Sequence, residues 1–384
     1  MARSKALSDA VVSLWETAVW KLLPKGGVAV IAWLMCSLPG WALEMRIAIQ
    51  EGAGQVVVGT SNTGVILDSQ GQQIAQVPQG RSLTVAAQGS QVKAANSVST
   101  SFWVEPGPDG FVFIGDRWYR GRVLVTSTGS SVTAINYVDL EHYLYSVVGS
   151  EMPTSWPLEA LKAQAVAARS YALHRRSRAR SPYYDVGSTT AYQVYGGLGE
   201  ETQRTQAAVE GTRSQVLTHN GQVIEAVFHS SSGGHTENVE DIWSQARPYL
   251  RGVPDFDAGA PVFEWFRTFS NDEFSQLMPD VGRLVSAIPQ RTTPRGRVRE
   301  ILVEGDRGSR MLTGSDFRSA LGLRSTLFSI AVTGDSVQIS GRGFGHGIGM
   351  SQWGAHNMAG QGYTYQQILG HYYQGAQLAV LQGR

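Results

Sequence analysis

The segment from Glu141 to Leu173 holds three side chains suited to acid–base chemistry and anion binding. Glu151 follows a short apolar run, and a carboxyl group shielded from water can stay protonated and act as a general acid. Lys162 and Arg169 lie two helical turns apart further along, and such cations bind anionic groups. This spacing favours a cleft with Glu151 at its mouth and both cations holding an acidic ligand.

A strand, a sharp turn and a helix are expected to position these side chains. The apolar residues Leu144, Val147 and Val148, two of them β-branched, predict the end of a buried strand. Pro153 then favours an extended conformation at Met152, and Ser155 is the predicted N-cap of the following helix. That helix is rich in alanine and apolar on nearly every side, which is typical of a helix buried in a core.

A structural alternative exists for Lys162 and Arg169, because buried long cations need partners. Both could extend to solvent or pair with Glu159 or Glu141 instead of binding a ligand. Glu141 is itself a second candidate acid, although a salt bridge explains it equally well. Gln164 lies among the alanines on the other side of the helix.

Two later loops carry histidines among small residues. His229 and His235 stand in the first histidine loop (residues 229–237), where imidazoles suit zinc or hydrogen-bond to the backbone or a substrate. His346 lies between two glycines in the second histidine loop (residues 341–352), and these glycines let the backbone approach a ligand closely. The second loop lacks the Lys-Ser/Thr of a P-loop and a βαβ context, which argues against a nucleotide site.

Three motifs occur in the order typical of one family. They are a Glu-Met-Pro turn followed by ALKAQAVAARSYA, the stretch FHSSSGGHTEN (228–238), and the stretch GRGFGHGIGMSQWGAHNMAGQGYTYQQILGHYY (341–373). In these motifs the chain resembles the SpoIID/LytB family, whose members are lytic transglycosylases or enhancers of cell-wall amidases. The resemblance extends roughly over residues 118–375.

The resemblance implies a lytic transglycosylase that cleaves peptidoglycan between N-acetylmuramic acid and N-acetylglucosamine. Glu151 would protonate the glycosidic oxygen and then take the proton of the muramic C6 hydroxyl, which closes a 1,6-anhydro ring. Burial beside Trp156 or Met152 is expected to raise the pKa of Glu151. The expected substrate is a peptide-stripped glycan strand, because its lactyl carboxylate suits a basic residue in the cleft.

The same resemblance assigns substrate contacts to the alanine-rich helix and to both histidine loops, and the expected reaction requires no cofactor. Some relatives have a cysteine in the first histidine loop and are thought to bind zinc there. Ser232 takes that position here, and a structural zinc at His229 and His235 is an alternative. The predicted substrate-binding residues are Lys162, Gln164, Arg169, Tyr171, Ser230, Ser231, Gly233, Gly234, Thr236, His346, Gly347, Ser351 and Gln352.

Two other classes of function fit the same residues. A noncatalytic wall-binding protein or amidase enhancer would make no anhydro product and would not depend on Glu151. A metal-dependent amidase using His229, His235 and Glu237 would be sensitive to chelators. Glu151, Lys162 and Arg169 stand where the family motif has them, which favours the transglycosylase. The expected partners are peptidoglycan glycan strands and, as a second partner, a cell-wall amidase.

Composition indicates a folded protein of 384 residues, with 42% hydrophobic and 16% charged residues. A net charge of +1 argues against a nucleic-acid partner. The predicted fold class is α+β, with mixed sheets packed around the central alanine-rich helix and a β-rich N-terminal region. The expected division is a signal segment (1–42), a β-rich accessory region (43–117) and a catalytic domain (118–384).

The N-terminal segment resembles a secretory signal with small residues before a cleavage site after Ala42. Its apolar run is shorter than the roughly 20 residues of a membrane span. An uncleaved anchor, which would hold the protein at a membrane, is the alternative. The expected location is extracytoplasmic, in the periplasm or cell wall. Cys36 is the only cysteine, so a mature chain starting at Leu43 would have no disulfide.

Overall fold

The computed structural model describes residues 43–243 and 245–382. The predicted export signal and Cys36 lie outside these ranges. No helix within them combines the length and apolar character needed to cross a bilayer. The described chain contains both helices and several separate sheets, which confirms the α+β class and the β-rich N-terminal region.

The N-terminal part is built from strands in which alternate apolar residues are buried, as the short runs predict. The strands are β1 (Glu44–Ala53), β2 (Gln55–Thr60), β3 (Gly64–Leu67), β4 (Gln73–Val77), β5 (Ser82–Gln88), β6 (Gln91–Ala94), β7 (Ser97–Ser99), β8 (Ser101–Glu105), β9 (Val112–Ile114), β10 (Arg117–Tyr119), β11 (Arg122–Ser127) and β12 (Val132–Asp139).

These strands form two sheets. The seven-stranded sheet has the order β13-β1-β12-β11-β8-β3-β4, where β13 is Val186–Gly187, and the six-stranded sheet has the order β10-β9-β2-β5-β6-β7. In the first sheet, β1 pairs antiparallel with β12, and Met45 lies opposite Val138. The boundary predicted between residues 117 and 118 therefore separates two strands, β1 and β12, that pair within one sheet.

A helix, not the predicted strand, precedes Glu151. Helix α1 (Leu140–Glu151) begins at Asp139, whose side chain accepts the N–H groups of Glu141 and His142. The apolar residues 144–148 are buried by helical packing, because positions 144, 147 and 148 also share one face of a helix. The strand prediction was wrong because it weighed β-branched residues above this spacing and missed the Asp139 cap.

The alanine-rich helix α2 (Leu158–Arg176) follows after an extended Met152. Its N-cap is Pro157 without any side-chain hydrogen bond, so the N-cap predicted at Ser155 was wrong. Its alanines are fully buried, as an all-round apolar helix predicts. Next come a 3₁₀ turn (Leu198–Glu200), α3 (Gln203–Glu210), β14 (Gln215–His219), β15 (Gln222–Val223), β16 (Phe228–His229) and α4 (Val239–Ile242).

Residues 264–342 form an insert between the two histidine loops. It packs around a core cluster separate from the main one, centred on residues such as Phe274, Ile301 and Phe317. Its elements are β17 (Glu264–Ser270), α5 (Asn271–Leu277), β18 (Leu284–Thr292), β19 (Val298–Gly305), β20 (Ser309–Thr313), α6 (Gly314–Ala320), β21 (Phe328–Thr333) and β22 (Ser336–Arg342).

The chain then returns to the main core. The second histidine loop runs into β23 (Met350–Ser351) and α7 (Gln352–Gly360), and the described chain continues with α8 (Tyr365–Tyr372) and β24 (Gln377–Val380). Helices α7 and α8 pack against α2, and β24 pairs with β14. Helix α2 thus contacts α1, which precedes it, and the two helices near the C-terminal end of the described chain.

Arg169 of α2 forms a buried ion pair with Glu141 of α1. The Arg169 side chain is 0% exposed, and its Nε lies 3.0 Å from Oε1 of Glu141. Arg169 also donates to the Gln215 carbonyl, while Glu141 accepts the N–H of Ser214. The ion pair gives both side chains a structural role. Because each is buried against the other, Arg169 does not reach a ligand and Glu141 does not serve as an acid.

Replacing Arg169 with methionine should lower the free energy of unfolding by about 3–5 kcal/mol, because Glu141 would stay buried without its partner. Urea denaturation measures the loss. The matched control is Lys162→Met, which breaks a partly exposed pair with Glu159 and should cost less than about 1 kcal/mol. Equal losses in the two variants would contradict the structural role of the buried pair.

Candidate functional site

A cleft of about 470 Å³ lies where the three motifs meet. Glu151 reaches it from the end of α1, Ser230 from the first histidine loop, and Gln352 from the start of α7. Tyr171 of α2 and Tyr192 complete one wall. The cleft therefore collects polar groups that are far apart in sequence.

Glu151 is half-buried and holds a fixed orientation. One of its oxygens, Oε1, accepts the backbone N–H of Val194 at 2.8 Å. Burial raises its pKa, and the Val194 N–H and the nearby Gln352 amide oppose that rise by favouring the ionised form. Glu151 is also the last residue of α1, where the partial negative charge of the helix end disfavours a carboxylate.

No ion pair within the described ranges involves Glu151. Glu225, the other carboxylate that lines the cleft, lies 3.8 Å from a guanidinium nitrogen of Arg175. Lys162, which could have lowered the pKa of Glu151, binds Glu159 at 2.7 Å instead. Glu151 is thus the cleft carboxyl group best suited to keep a proton.

Backbone hydrogen bonds join the two histidine loops directly. Strands β16 and β23 pair in parallel, with His229 opposite Ser351. Ser231 and Phe344 exchange N–H···O bonds of 3.0 and 2.7 Å. At Gly343, φ is +75° and a Cβ atom would lie 2.7 Å from the Ser231 carbonyl oxygen, so only glycine permits this approach.

His229 and His346 face each other across this junction, with their ring centroids 5.2 Å apart. Burial lowers the pKa of His229 and lowers that of His346 to about 4, so both rings are neutral at neutral pH. His229 Nε2 is buried and has no hydrogen-bond partner among the described residues. This unpartnered nitrogen at the wall of the cleft is suited to hydrogen-bonding a ligand.

The rest of the first histidine loop faces inward, contrary to the predicted sugar contacts. The Ser231 hydroxyl donates to Asp257, and the Ser232 hydroxyl donates to Asp255. Both serines are 0% exposed. Thr236 is also buried; its hydroxyl accepts the N–H of Val253.

Gly233 and Gly234 complete this arrangement, because their N–H groups donate to the Asp257 carboxylate. The structure thus uses Ser231, Gly233, Gly234 and Thr236 to shape the loop and leaves Ser230 at the cleft. Asp257 was missed in the sequence, because residues 255–290 indicate secondary structure but no site residue.

Several other predicted contacts also lie away from the cleft lining. Gln164 is fully buried in α2. Gly347 packs on Arg297 of the insert, where a Cβ atom would come within 2.4 Å of the guanidinium. Ser351 is buried and its hydroxyl caps α7 by accepting the N–H of Gly354. The predicted substrate residues that do line the cleft are Tyr171, Ser230, His346 and Gln352.

Arg175, Tyr192 and Glu225 line the cleft and were not predicted. Arg175 lies in the basic run of residues 174–180, for which the sequence favours a solvated helix end and leaves contact with an anionic wall polymer as the alternative. Its guanidinium carbon lies 5.2 Å from the centroid of the Tyr192 ring, so it is held against the cleft wall.

The predicted zinc site finds no supporting geometry. Within residues 43–243 and 245–382, no three His, Cys, Asp or Glu side chains are grouped as metal ligands would be. His235 Nδ1 lies 2.6 Å from the Thr236 carbonyl oxygen, and His229 Nδ1 lies 3.1 Å from that of Ile348. The described residues therefore show no grouping of zinc ligands around His229 and His235. Zinc binding stays an untested prediction.

Two family models match the chain. One, described as Stage II sporulation protein, matches residues 128–219, which include Glu151 and α2. The other, described as a domain of unknown function (DUF8618), matches residues 256–349, which include the insert and His346. The second match begins at residue 256, close to residue 264, where the insert begins.

The chain is also similar to curated proteins, two of them over about three quarters of their length and a third over 40% of its length. Stage II sporulation protein D of Bacillus subtilis (strain 168) is 37% identical over 264 residues, or 64% of this chain and 76% of that protein. An uncharacterized protein of Brachyspira hyodysenteriae is 34% identical over 278 residues, or 70% and 74% of the two chains. The amidase enhancer of Bacillus subtilis is 32% identical over 290 residues, or 61% of this chain and 40% of that protein.

A sporulation protein D is matched over three quarters of its length, and the Stage II sporulation protein model matches the residues around Glu151, so the family resemblance of the three motifs is confirmed. The chain belongs to the SpoIID/LytB family.

Proposed function

We propose that the protein is a lytic transglycosylase that cleaves peptidoglycan between N-acetylmuramic acid and N-acetylglucosamine. Glu151 carries the proposal: it is a half-buried carboxyl group in a cleft, its pKa is raised by burial, and no ion pair in the described ranges involves it. A general acid needs this combination to hold its proton near neutral pH.

A lytic transglycosylase can work with one carboxyl group, whereas a hydrolase usually needs two. Protonated Glu151 donates its proton to the glycosidic oxygen, and the bond to the muramic anomeric carbon breaks. The resulting carboxylate takes the proton of the muramic C6 hydroxyl, whose oxygen bonds to that anomeric carbon. The sugar supplies its own oriented nucleophile, so Glu151 ends protonated and no water is consumed.

The surrounding groups have supporting roles in this proposal. The Val194 N–H holds one Glu151 oxygen in place, which leaves the other for the proton. His229 Nε2 has no hydrogen-bond partner within the described residues and is available to bind a sugar hydroxyl or acetamido group. Tyr171 and Trp243 present aromatic surface on which a sugar ring can pack.

The proposed setting is the cell wall, outside the cytoplasm, reached by export through the N-terminal segment. The names of the relatives, a sporulation protein and an amidase enhancer, support a wall-related role. Peptide-stripped glycan is the proposed substrate, so an amidase that removes the peptides would act before this protein.

A second candidate is a noncatalytic amidase enhancer, favoured by the similarity to the Bacillus subtilis protein of that name. In that case the cleft would bind glycan without cleaving it. Purified amidase would then be stimulated by the protein, and stimulation would survive loss of the Glu151 carboxyl group.

Glu151→Gln should abolish the formation of 1,6-anhydromuramic ends, with a loss of about 10²–10⁴-fold, because the amide cannot donate the acid's proton. The assay digests peptide-stripped glycan strands with residues 43–384 and identifies the products by mass spectrometry. Parallel digestions with EDTA test the zinc prediction, since a required metal would make the activity sensitive to chelation.

Glu159→Gln is the matched control, because it changes a glutamate that is paired with Lys162 outside the cleft. It should retain activity near the parent level. Anhydro products from Glu151→Gln at the parent rate would contradict the assignment. No anhydro product from the parent chain, combined with stimulation of an amidase, would establish the second candidate.

The raised pKa of Glu151 also predicts a pH dependence. Activity should fall as pH rises through that pKa, because the acid loses its proton. The folded state binds this proton more tightly than the unfolded state, so the stability it contributes is full below the unfolded pKa and is lost as pH rises. Glu151→Gln should therefore raise the melting temperature at pH 7 more than at pH 4; an equal effect at both would contradict the raised pKa.

A further inference from the structure

We propose that the cleft continues into a basic groove that binds the carboxylate of a muramyl residue next along the glycan strand from the scissile bond. The inference rests on the proposed function and deepens it, because it names the substrate group that a second subsite recognises. The groove lies beyond the end of α2, where Arg175, Arg178 and Arg180 line a cavity of about 680 Å³.

The groove and the cleft are continuous. Arg175 and Tyr192 line both cavities. The segment that carries Tyr192 also supplies the Val194 N–H to Glu151. A glycan strand bound at Glu151 and running past Tyr192 would therefore enter the groove.

The groove carries unneutralised positive charge. Its acidic residue, Asp185, already lies 2.7 Å from Arg46 and 3.8 Å from Arg176. Within the described ranges, no ion pair involves Arg178 or Arg180, and both are exposed. An anion in the groove would thus meet at least two guanidinium groups that lack a carboxylate partner.

A carboxylate is the anion that the substrate can offer there. Guanidinium groups bind carboxylates through paired, charge-assisted hydrogen bonds. In a strand of alternating sugars the N-acetylmuramic residues bear the carboxylates. These are the lactyl carboxylate when the peptide is absent and the peptide's own carboxylates when it is present. The groove thereby takes over the anion-binding role that Arg169, buried with Glu141, cannot fill.

The test measures binding in a Glu151→Gln background, in which the ligand stays intact. Isothermal titration compares three oligosaccharides of equal length at low salt: a neutral N-acetylglucosamine oligomer, a peptide-free glycan and a peptide-bearing glycan. The variant is Arg178→Gln with Arg180→Gln. The matched control is Arg295→Gln with Arg307→Gln, two exposed arginines of the insert.

Adding Arg178→Gln and Arg180→Gln to the background protein should weaken its binding of peptide-free glycan about 5–20-fold, because each substitution removes a charge-assisted hydrogen bond that solvent partly screens. Binding of the neutral oligomer should stay unchanged. The control pair should bind like the background protein. Raising the salt concentration should reduce the preference for the charged glycan in the background protein but not in the variant. A preference for the peptide-bearing glycan alone would assign the bound carboxylate to the peptide.

Equal weakening of the neutral and charged oligomers, or no weakening at all, would overturn the inference and leave the proposed function intact. Failure of the background protein to bind any of the three glycans would overturn both. Should the double variant unfold, Arg180→Gln alone gives the same comparison, because that side chain makes no hydrogen bond within the described ranges.

Discussion

The buried pair of Arg169 and Glu141 is the interaction on which the position of the cleft depends. Removing two charges from water is costly, and the protein offsets the cost with backbone partners, the Gln215 carbonyl and the Ser214 N–H. These bonds join α1, α2 and the start of β14 at one point. Because Glu151 is the last residue of α1, its place in the cleft is set by the same contacts.

Around that point, some carboxylates lie beside cations and one does not. Glutamates at the surface of the helical core, such as Glu159 and Glu225, lie beside cations. The groups that favour ionised Glu151 are uncharged: a peptide N–H and a side-chain amide. The cations that remain unpaired, Arg178 and Arg180, lie further along the same cavity system. No ion pair in the described ranges therefore lowers the pKa of Glu151, and the unpaired guanidinium groups of Arg178 and Arg180 are suited to binding an anion.

Sequence patterns located the cleft but not its details. The three motifs identified Glu151, His346 and Gln352, because glycine, proline and histidine at set spacings constrain the backbone locally. They misassigned Ser231, since nothing local shows whether a loop hydroxyl faces solvent or an aspartate 26 residues away. The strand predicted at residues 144–148 was wrong for a related reason. A short apolar run fits both the strand and the helix periodicity, and here the residues form a helix that packs on α2.

The ends of the insert lie side by side, since Glu264 of β17 pairs with Arg342 of β22. The insert also has a core of its own. A unit whose ends meet can be lengthened, shortened or exchanged without changing the spacing of the loops it joins. The insert can therefore change in length or surface beside His229 and His346 without altering the spacing of the two histidine loops, while Glu151 stays on a part of the chain that the change does not touch.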